Sequence, residues 1–386
     1  MGVLKHWRAF RSFRRLPAPA RAIVFYSESG QDWHHFAPVI DAITSGFGRR
    51  LCYVTSDPDD PGLSGAIPAV DGFCIGDGVA RTTLFQFLKA DVMVMTMLDL
   101  HNLQLKRSIN PVHYVFMFHS LISTHMADFE NSYDHYDTIL CAGPHQLREI
   151  RKREETQGLA AKNLVPHGYH RIEQLIEERE LRLRHEAGDP PHILLAPSWG
   201  ENTILHTCGD RVISALLDGG LVVTLRPHWQ SQVVVPGVIR ELLDRYGSHP
   251  RFRFEGRMSD NESLFASDVM VTDWSGAAMD YALGLEKPVV FVDLPPKSRN
   301  DSWPSLGIDP LEISIRSKIG RIVGMQQIEQ MPDTITSLLS DPDAFRRHIA
   351  SLRSECVYNL GHSAQAAAEA IVGLADHSGS AGDPDS

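Results

Sequence analysis

The sequence predicts an α/β protein of two doubly wound, Rossmann-like domains facing a shared cleft, preceded by a basic amphipathic segment. Three observations carry this expectation. Short apolar, β-rich runs alternate with helix-length amphipathic segments, the pattern of parallel sheets covered by helices. The alternation comes in two series, and Gly188-Asp189-Pro190-Pro191 is the breaker between them. The chain of 386 residues, 43% hydrophobic and 22% charged, is long enough for two cores of ordinary domain size.

The leader, residues 1–20, comes first. Val3, Leu4, Trp7, Phe10, Phe13 and Leu16 lie among Lys5, Arg8, Arg11, Arg14 and Arg15 at close to helical spacing, and Pro17 ends the segment. The net charge is −11, yet no acid precedes Glu28. Such a segment suits an anionic membrane surface, where each nearby cation contributes about 1 kcal/mol. The competing readings are a disordered leader and a helix docked on the protein's own body. Nucleic acid is not an expected partner, because no basic, aromatic-studded face continues downstream.

Strands are predicted at 22–26, 51–55, 92–96, 113–118, 138–141 and 163–165, giving a first domain over 21–187 that closes on a charged helix at 171–186. A second series at 192–196, 221–225, 251–254, 269–272 and 289–292 gives a second domain over 192–375. Its last part, from Pro332 on, reads as helical and ends in an Ala-rich segment at 363–374; the Gly, Ser and Asp tail at 376–386 reads as disordered.

Five cysteines, Cys52, Cys74, Cys141, Cys208 and Cys356, lie far apart without a CxxC, most of them inside apolar runs. They read as reduced core residues in a reducing compartment. No stretch approaches the ~20 apolar residues of a membrane span, and no secretory apolar region opens the chain, so the expected location is the cytoplasm. His119, His125, His135 and His145 lack the spacing that puts two ligands on one helical face, and no metal or cofactor is expected. Asp57-Pro58-Asp59-Asp60 reads as a turn. The chain has no GxGxxG after its first strand, no GxxxxGK[ST] and no GxSxG, which argues against dinucleotide redox chemistry and P-loop hydrolysis.

Three segments remain as candidate sites. In residues 268–282 a buried strand breaks at Thr272-Asp273-Trp274-Ser275-Gly276 and enters a helix of small residues that Ser275 or Asp273 can cap. Free N–H groups and the helix dipole suit a phosphate there, although an ordinary N-capped helix has the same sequence pattern. Residues 221–229 form a strand running into Arg226-Pro227-His228. The guanidinium provides a fork for phosphate oxygens, and the imidazole provides a hydrogen bond or a proton for a leaving group. Residues 114–120 form a strand that stops at His119, a group that titrates near neutrality and suits a general base.

In this order the segments resemble the CDP-glycerol glycerophosphotransferase family, the teichoic acid and capsule polymerases of GT-B type fold, over about residues 113–293. Phe118-His119-Ser120-Leu121 is similar to the family's Trp-His-Gly-Thr-Pro, retaining only the His, whose family counterpart is the proposed base. Residues 168–175 are similar to Gly-x-Pro-Arg-x-Asp-x-Leu, which brings Arg171 and Glu173 into the expected site. Ala196-Pro197-Ser198-Trp199 is similar to Ala-Pro-Thr-Trp-Arg, with Gly200 in place of the Arg. Arg226-Pro227-His228-Trp229 is similar to Arg-x-His-Pro. Residues 272–276, followed by Asp280-Tyr281 and Lys287-Pro288, are similar to Thr-Asp-Tyr-Ser-Ser, Phe-Asp-Tyr and Lys-Pro, with Gly276 replacing a Ser.

The resemblance implies transfer of a polyol phosphate, first of all glycerol phosphate from CDP-glycerol, to a hydroxyl of a lipid-linked or polymeric surface glycan. It implies His119 and His228 as catalytic residues, Arg226, Asp273, Ser275, Gly276 and Ser198 at the donor diphosphate, and Arg171, Glu173 and Asp280 elsewhere in the cleft. The basic leader would hold the enzyme on the inner face of the membrane. The rivals are a nucleotide-sugar glycosyltransferase, a nucleotide-sugar 2-epimerase and a non-catalytic membrane-surface binding protein.

Overall fold

The computed structural model describes residues 2–98, 100–102, 105–181, 190–256 and 261–380. The chain divides into two compact units, the first made of residues 1–170, 300–308 and 356–386, the second of residues 171–299 and 309–355.

The first unit holds β1 (Ile23–Ser27), β2 (Leu51–Thr55), β3 (Val70–Cys74), β4 (Val92–Met95), β5 (His113–Met117), β6 (Thr138–Cys141) and β7 (Asn163–Pro166). They form one parallel sheet in the order β3-β2-β1-β4-β5-β6-β7. Every residue of β1, β2, β4 and β6 is buried. Strands covered on both faces must be apolar throughout, which is why these runs were readable in the sequence.

The second unit holds β8 (His192–Leu195), β9 (Val222–Leu225), β10 (Phe252–Phe254), β11 (Val269–Thr272), β12 (Val289–Val292) and β13 (Gly320–Val323). Its parallel sheet runs β10-β9-β8-β11-β12-β13. Two strands, β3 and β13, were absent from the predicted set. Both are sheet edges. Their partly solvated sequences, VDGFC and GRIV, carry no continuous apolar run; Asp71 of β3 pairs with Arg50 at 3.0 Å.

The domain boundaries differ from the predicted ones. The helix Ser363–Ser380, expected in the second domain with a disordered tail after Ala375, belongs to the first unit and is helical through Ser380. Its stripe Ala367, Ala368, Ile371, Val372 and Ala375 is buried with Ile23, Phe25, Val92 and Val94 of β1 and β4. A helical period shows that one face must be covered; it does not name the sheet that covers it. The helix His170–Leu181 in turn belongs to the second unit from Arg171 on. A Cβ on Gly284, in the helix Ala277–Leu285, would lie 2.8 Å from the Leu175 side chain, so glycine permits this close approach. The predicted helix end at 182–186, the breaker residues 188–189 and the tail residues 381–386 lie outside the described residues.

The leader forms the helix Gly2–Arg15. It buries Phe10 and Phe13 on its own unit, with Phe13 edge-on to Phe73 at 5.6 Å between ring centroids. Val3 and Leu4 stay exposed with Lys5, Arg8, Arg11, Arg14 and Arg15. The docked-helix reading therefore holds for one face, and the other presents cations and two aliphatic side chains to solvent. Among the described residues, no helix is long and apolar enough to cross a membrane. All five cysteines are buried, and none is in a disulfide. The segment 57–60 is a turn: Asp57 accepts from the Asp59 and Gly30 backbone N–H groups and Asp60 from that of Gly62.

Candidate functional site

In the second unit the neighbouring strands β9, β8, β11 and β12 deliver their C-terminal ends to one edge of the sheet. The strand order reverses between β8 and β11, the place where open α/β sheets bind ligands.

Asp273, at the end of β11, is fully buried. Its Oδ1 accepts from the backbone N–H of Ser198 at 2.8 Å and of Trp274 at 2.7 Å, and its Oδ2 from that of Ile204 at 2.9 Å. This is a brace between the loops after β8 and β11. The sequence reading placed Asp273 at the diphosphate or as a helix cap. The structure gives it neither role, because its lone pairs already face backbone donors and a carboxylate repels phosphate. The helix Ala277–Leu285 is capped by Gly276 without a side-chain bond, and Ser275 Oγ accepts from Ala277 N at 3.3 Å. Ser275 and Gly276 are half-buried at that helix start. Ser198 is buried, and its N–H serves the brace. Gly200 has φ +124°, a region that side chains rarely adopt, so the Arg expected there by resemblance would be strained.

After β9, Arg226 is buried and donates from Nη1 to Ser263 Oγ at 2.9 Å, with Nε 3.3 Å from Glu255 Oε1. Its guanidinium, expected at the diphosphate, is thus engaged by the protein's own groups. Arg171 donates to Asn261 Oδ1 at 2.7 Å, so the two arginines converge on the segment 261–263. Glu173 is buried in the helix His170–Leu181, and Asp280 lies in the first turn of the helix Ala277–Leu285. Tyr281 and Lys287, which carried part of the resemblance, hold structure together. The Tyr281 hydroxyl is 3.0 Å from Ser267 Oγ, and Lys287 Nζ donates to the carbonyls of Leu264 at 3.3 Å, Phe265 at 2.6 Å and Ser267 at 2.5 Å.

His228 Nδ1 accepts from Gln230 N at 3.2 Å, which leaves the ring proton on Nε2. Burial, and then the charge of Lys297, push its pKa down to about 4. At neutral pH His228 can donate from Nε2 and has no second proton to give. Of the two roles expected of this imidazole, a hydrogen bond or a proton for a leaving group, the neutral ring suits the first. Lys297, in the loop after β12, was missed by the sequence reading, since a lone Lys after Pro295-Pro296 carries no local signal. Its Nζ stands 4.1 Å from the Trp199 ring centroid, and the Trp199 and His228 rings are 6.0 Å apart.

In the first unit His119 follows β5, and its ring centroid lies 5.1 Å from that of His35, which is 3.7 Å from His34 and 6.3 Å from Tyr169. His119 Nδ1 is buried with no hydrogen-bond partner. Burial lowers its pKa, opposed by the charge of Asp32 and the Met117 carbonyl, so the ring is neutral at neutral pH. His34 and His35 were also missed. The available signal was their place after β1, where the first sheet's order reverses between β1 and β4. His125 is tied to Ile308 O at 3.0 Å and lies 3.3 Å from Glu149 Oε2. Among the described residues, no group of three or more His, Cys, Asp or Glu side chains is arranged to hold a metal ion.

The model of one protein family, CDP-glycerol:poly(glycerophosphate) glycerophosphotransferase, matches residues 92–294, just over half of the chain. The chain belongs to this family. The matched span runs from β4 to the loop after β12 and contains every site residue predicted above. Among solved structures, this glycerophosphotransferase-family protein is similar to a putative UDP-N-acetylglucosamine 2-epimerase from Listeria monocytogenes, with 14% identity and TM-score 0.59 over 94% of this chain and 98% of that one. It is similar to the UDP-GlcNAc 2-epimerase from Neisseria meningitidis, with 11% identity and TM-score 0.56 over 91% and 98%. It is also similar to a glycosyltransferase from Rickettsia africae, with 10% identity and TM-score 0.53 over 92% and 98%. These likenesses establish the GT-B type of the fold. No curated protein sequence matches the chain.

Proposed function

We propose that this enzyme of the glycerophosphotransferase family transfers glycerol phosphate from CDP-glycerol to a hydroxyl of a lipid-linked or polymeric surface glycan of the teichoic acid or capsule kind, releasing CMP. The observation that carries the reading is the placement of the family-like segments at 196–200, 226–228 and 272–276 on the C-terminal ends of the adjacent strands β8, β9 and β11. The acceptor oxygen would attack the phosphorus bearing glycerol, and the bond from that phosphorus to the bridging oxygen would break. His119, neutral and with a free Nδ1, would take the acceptor's proton. The dipole of the helix Ala277–Leu285, the Ser275 hydroxyl and His228 Nε2–H would stabilise the phosphate oxygens as CMP leaves. Arg226 would act as a positioning residue for the loop after β9.

The test measures CMP release from CDP-glycerol with a glycan acceptor, beside a thermal-shift panel of CDP-glycerol, CDP-ribitol and UDP-sugars. CDP-glycerol is expected to raise the melting temperature, since a ligand at 100 times its Kd adds about 2.7 kcal/mol to the native state. Stabilisation by a UDP-sugar alone would replace this reading with a nucleotide-sugar glycosyltransferase.

The cytoplasmic, inner-membrane location belongs to the same proposal. It is supported by the exposed Val3 and Leu4 beside five cations on the helix Gly2–Arg15. The protein is expected to float with vesicles containing anionic lipid and to be released by salt. Equal flotation with neutral vesicles, or none with anionic ones, would count against it.

A further inference from the structure

We propose that Lys297 is the cation that meets the donor's diphosphate, above the face of Trp199 and beside the imidazole of His228. The inference rests on the reading of the second unit as the nucleoside diphosphate site, and it adds a residue that lies three positions beyond the matched span.

The loop after β12 brings Lys297 to the same sheet edge as the loops after β8, β9 and β11. There its ammonium is half-buried, and it makes no ion pair with a carboxylate among the described residues. Its close partner is the Trp199 ring, at 4.1 Å. A desolvated ammonium is costly unless matched, and an indole face matches it only in part, which leaves its three donors for an anion. Nearby cations are already occupied. Arg226 is engaged by Ser263 and Glu255. Arg316 lies 3.3 Å from Asp293 and stacks on Trp274 at 4.3 Å. His228 is neutral, and Gly200 has no side chain. A diphosphate with two or more negative charges needs a positive partner in a partly buried site, and Lys297 is the group placed to supply it.

The groups facing Lys297 are His228 after β9, Asp273 after β11 and Arg299 on its own segment. Burial lowers the Lys297 pKa, with the charge of Asp273 opposing and that of Arg299 adding, to about 8. The sign follows directly. The ammonium is present below about pH 8 and is lost above it, so affinity for an anion falls as pH rises through that range, displaced upward to the extent that bound anion stabilises the cation.

The test is calorimetric binding of CDP and of cytidine to the full-length wild type, Lys297→Met and Lys297→Arg. Methionine keeps the apolar stem against Trp199 and removes the charge. Expected is a loss in CDP affinity of about 10- to 100-fold in Lys297→Met, the worth of one charged hydrogen-bond contact, with cytidine affinity changed by less than about 3-fold. Lys297→Arg is expected to keep CDP affinity and to lose the decline between about pH 7.5 and 9.5. Circular dichroism melting verifies that the variants are folded. CDP affinity unchanged in a folded Lys297→Met overturns the inference while leaving the donor reading intact. A wild type that binds neither CDP nor UDP overturns both.

Discussion

Replacing His119 with alanine is expected to lower the transfer rate by about 10²- to 10⁴-fold, the usual contribution of a positioned general base, with little change in CDP affinity. The separation follows from the construction of the molecule. His119 belongs to the first unit, beside His35, whereas the residues proposed to hold the diphosphate belong to the second. The substitution also removes a buried Nδ1 that has no hydrogen-bond partner, so the fold loses no bond at that atom. A pH profile gives an independent readout. A base works in its neutral form, and burial holds the His119 pKa below its usual value, so the rate is expected to stay level through neutrality and to fall only on the acid side. In the variant that acid limb disappears. Full CMP release by a folded His119→Ala protein would remove His119 from the mechanism.

Replacing Asp273 with alanine is expected to have the largest effect on stability among the site residues. The change orphans the N–H groups of Ser198, Trp274 and Ile204, all served by one fully buried carboxylate. An orphaned buried donor costs about 1–3 kcal/mol, so with some water entry the total is on the order of 3–5 kcal/mol. For a domain of this size that lowers the melting temperature by about 10 °C. Asp273→Asn should lose less. Its carbonyl oxygen can still accept from Ser198 and Trp274, while its amide nitrogen faces the Ile204 N–H, donor against donor. Donor binding should weaken in both variants, because the loops after β8 and β11 are stitched together at this point. An Asp273→Ala protein melting with the wild type would refute the brace.

Much of the fold was legible because a parallel strand buried on both faces must be apolar along its whole length. Val269–Thr272 and Val289–Val292 are such strands, and both were read correctly. Edge strands escape that requirement, so β3 with its Asp71 and Gly72, and β13 with its exposed Arg321 and Ile322, left no comparable signal. The site was legible in outline for a related reason: a strand that stops at Arg226-Pro227-His228 or Thr272–Gly276 necessarily delivers those residues to a strand end.

What each residue does there was a different matter. Asp273 and Arg226 looked like phosphate ligands by type. The groups that engage them, Ser198 and Ile204 for the one and Glu255 and Ser263 for the other, stand 75 and 69 residues away in the first case, and after the neighbouring strand β10 and in the helix Glu262–Ala266 in the second. Lys297 beside Trp199, and His35 of the helix Trp33–Asp41 beside His119, are likewise meetings between segments that parallel crossovers bring together.

The sequence by itself determined the two series of strands, the helix periods, the basic face of the leader and the order of segments that marks the family, because each is written in local burial and local backbone geometry. Tertiary structure decided which sheet takes the helix Ser363–Ser380, which carboxylate is a brace and which cation is left for an anion. Those outcomes depend on whether a lone pair or a charge is already met by a group far along the chain, and no local pattern encodes that.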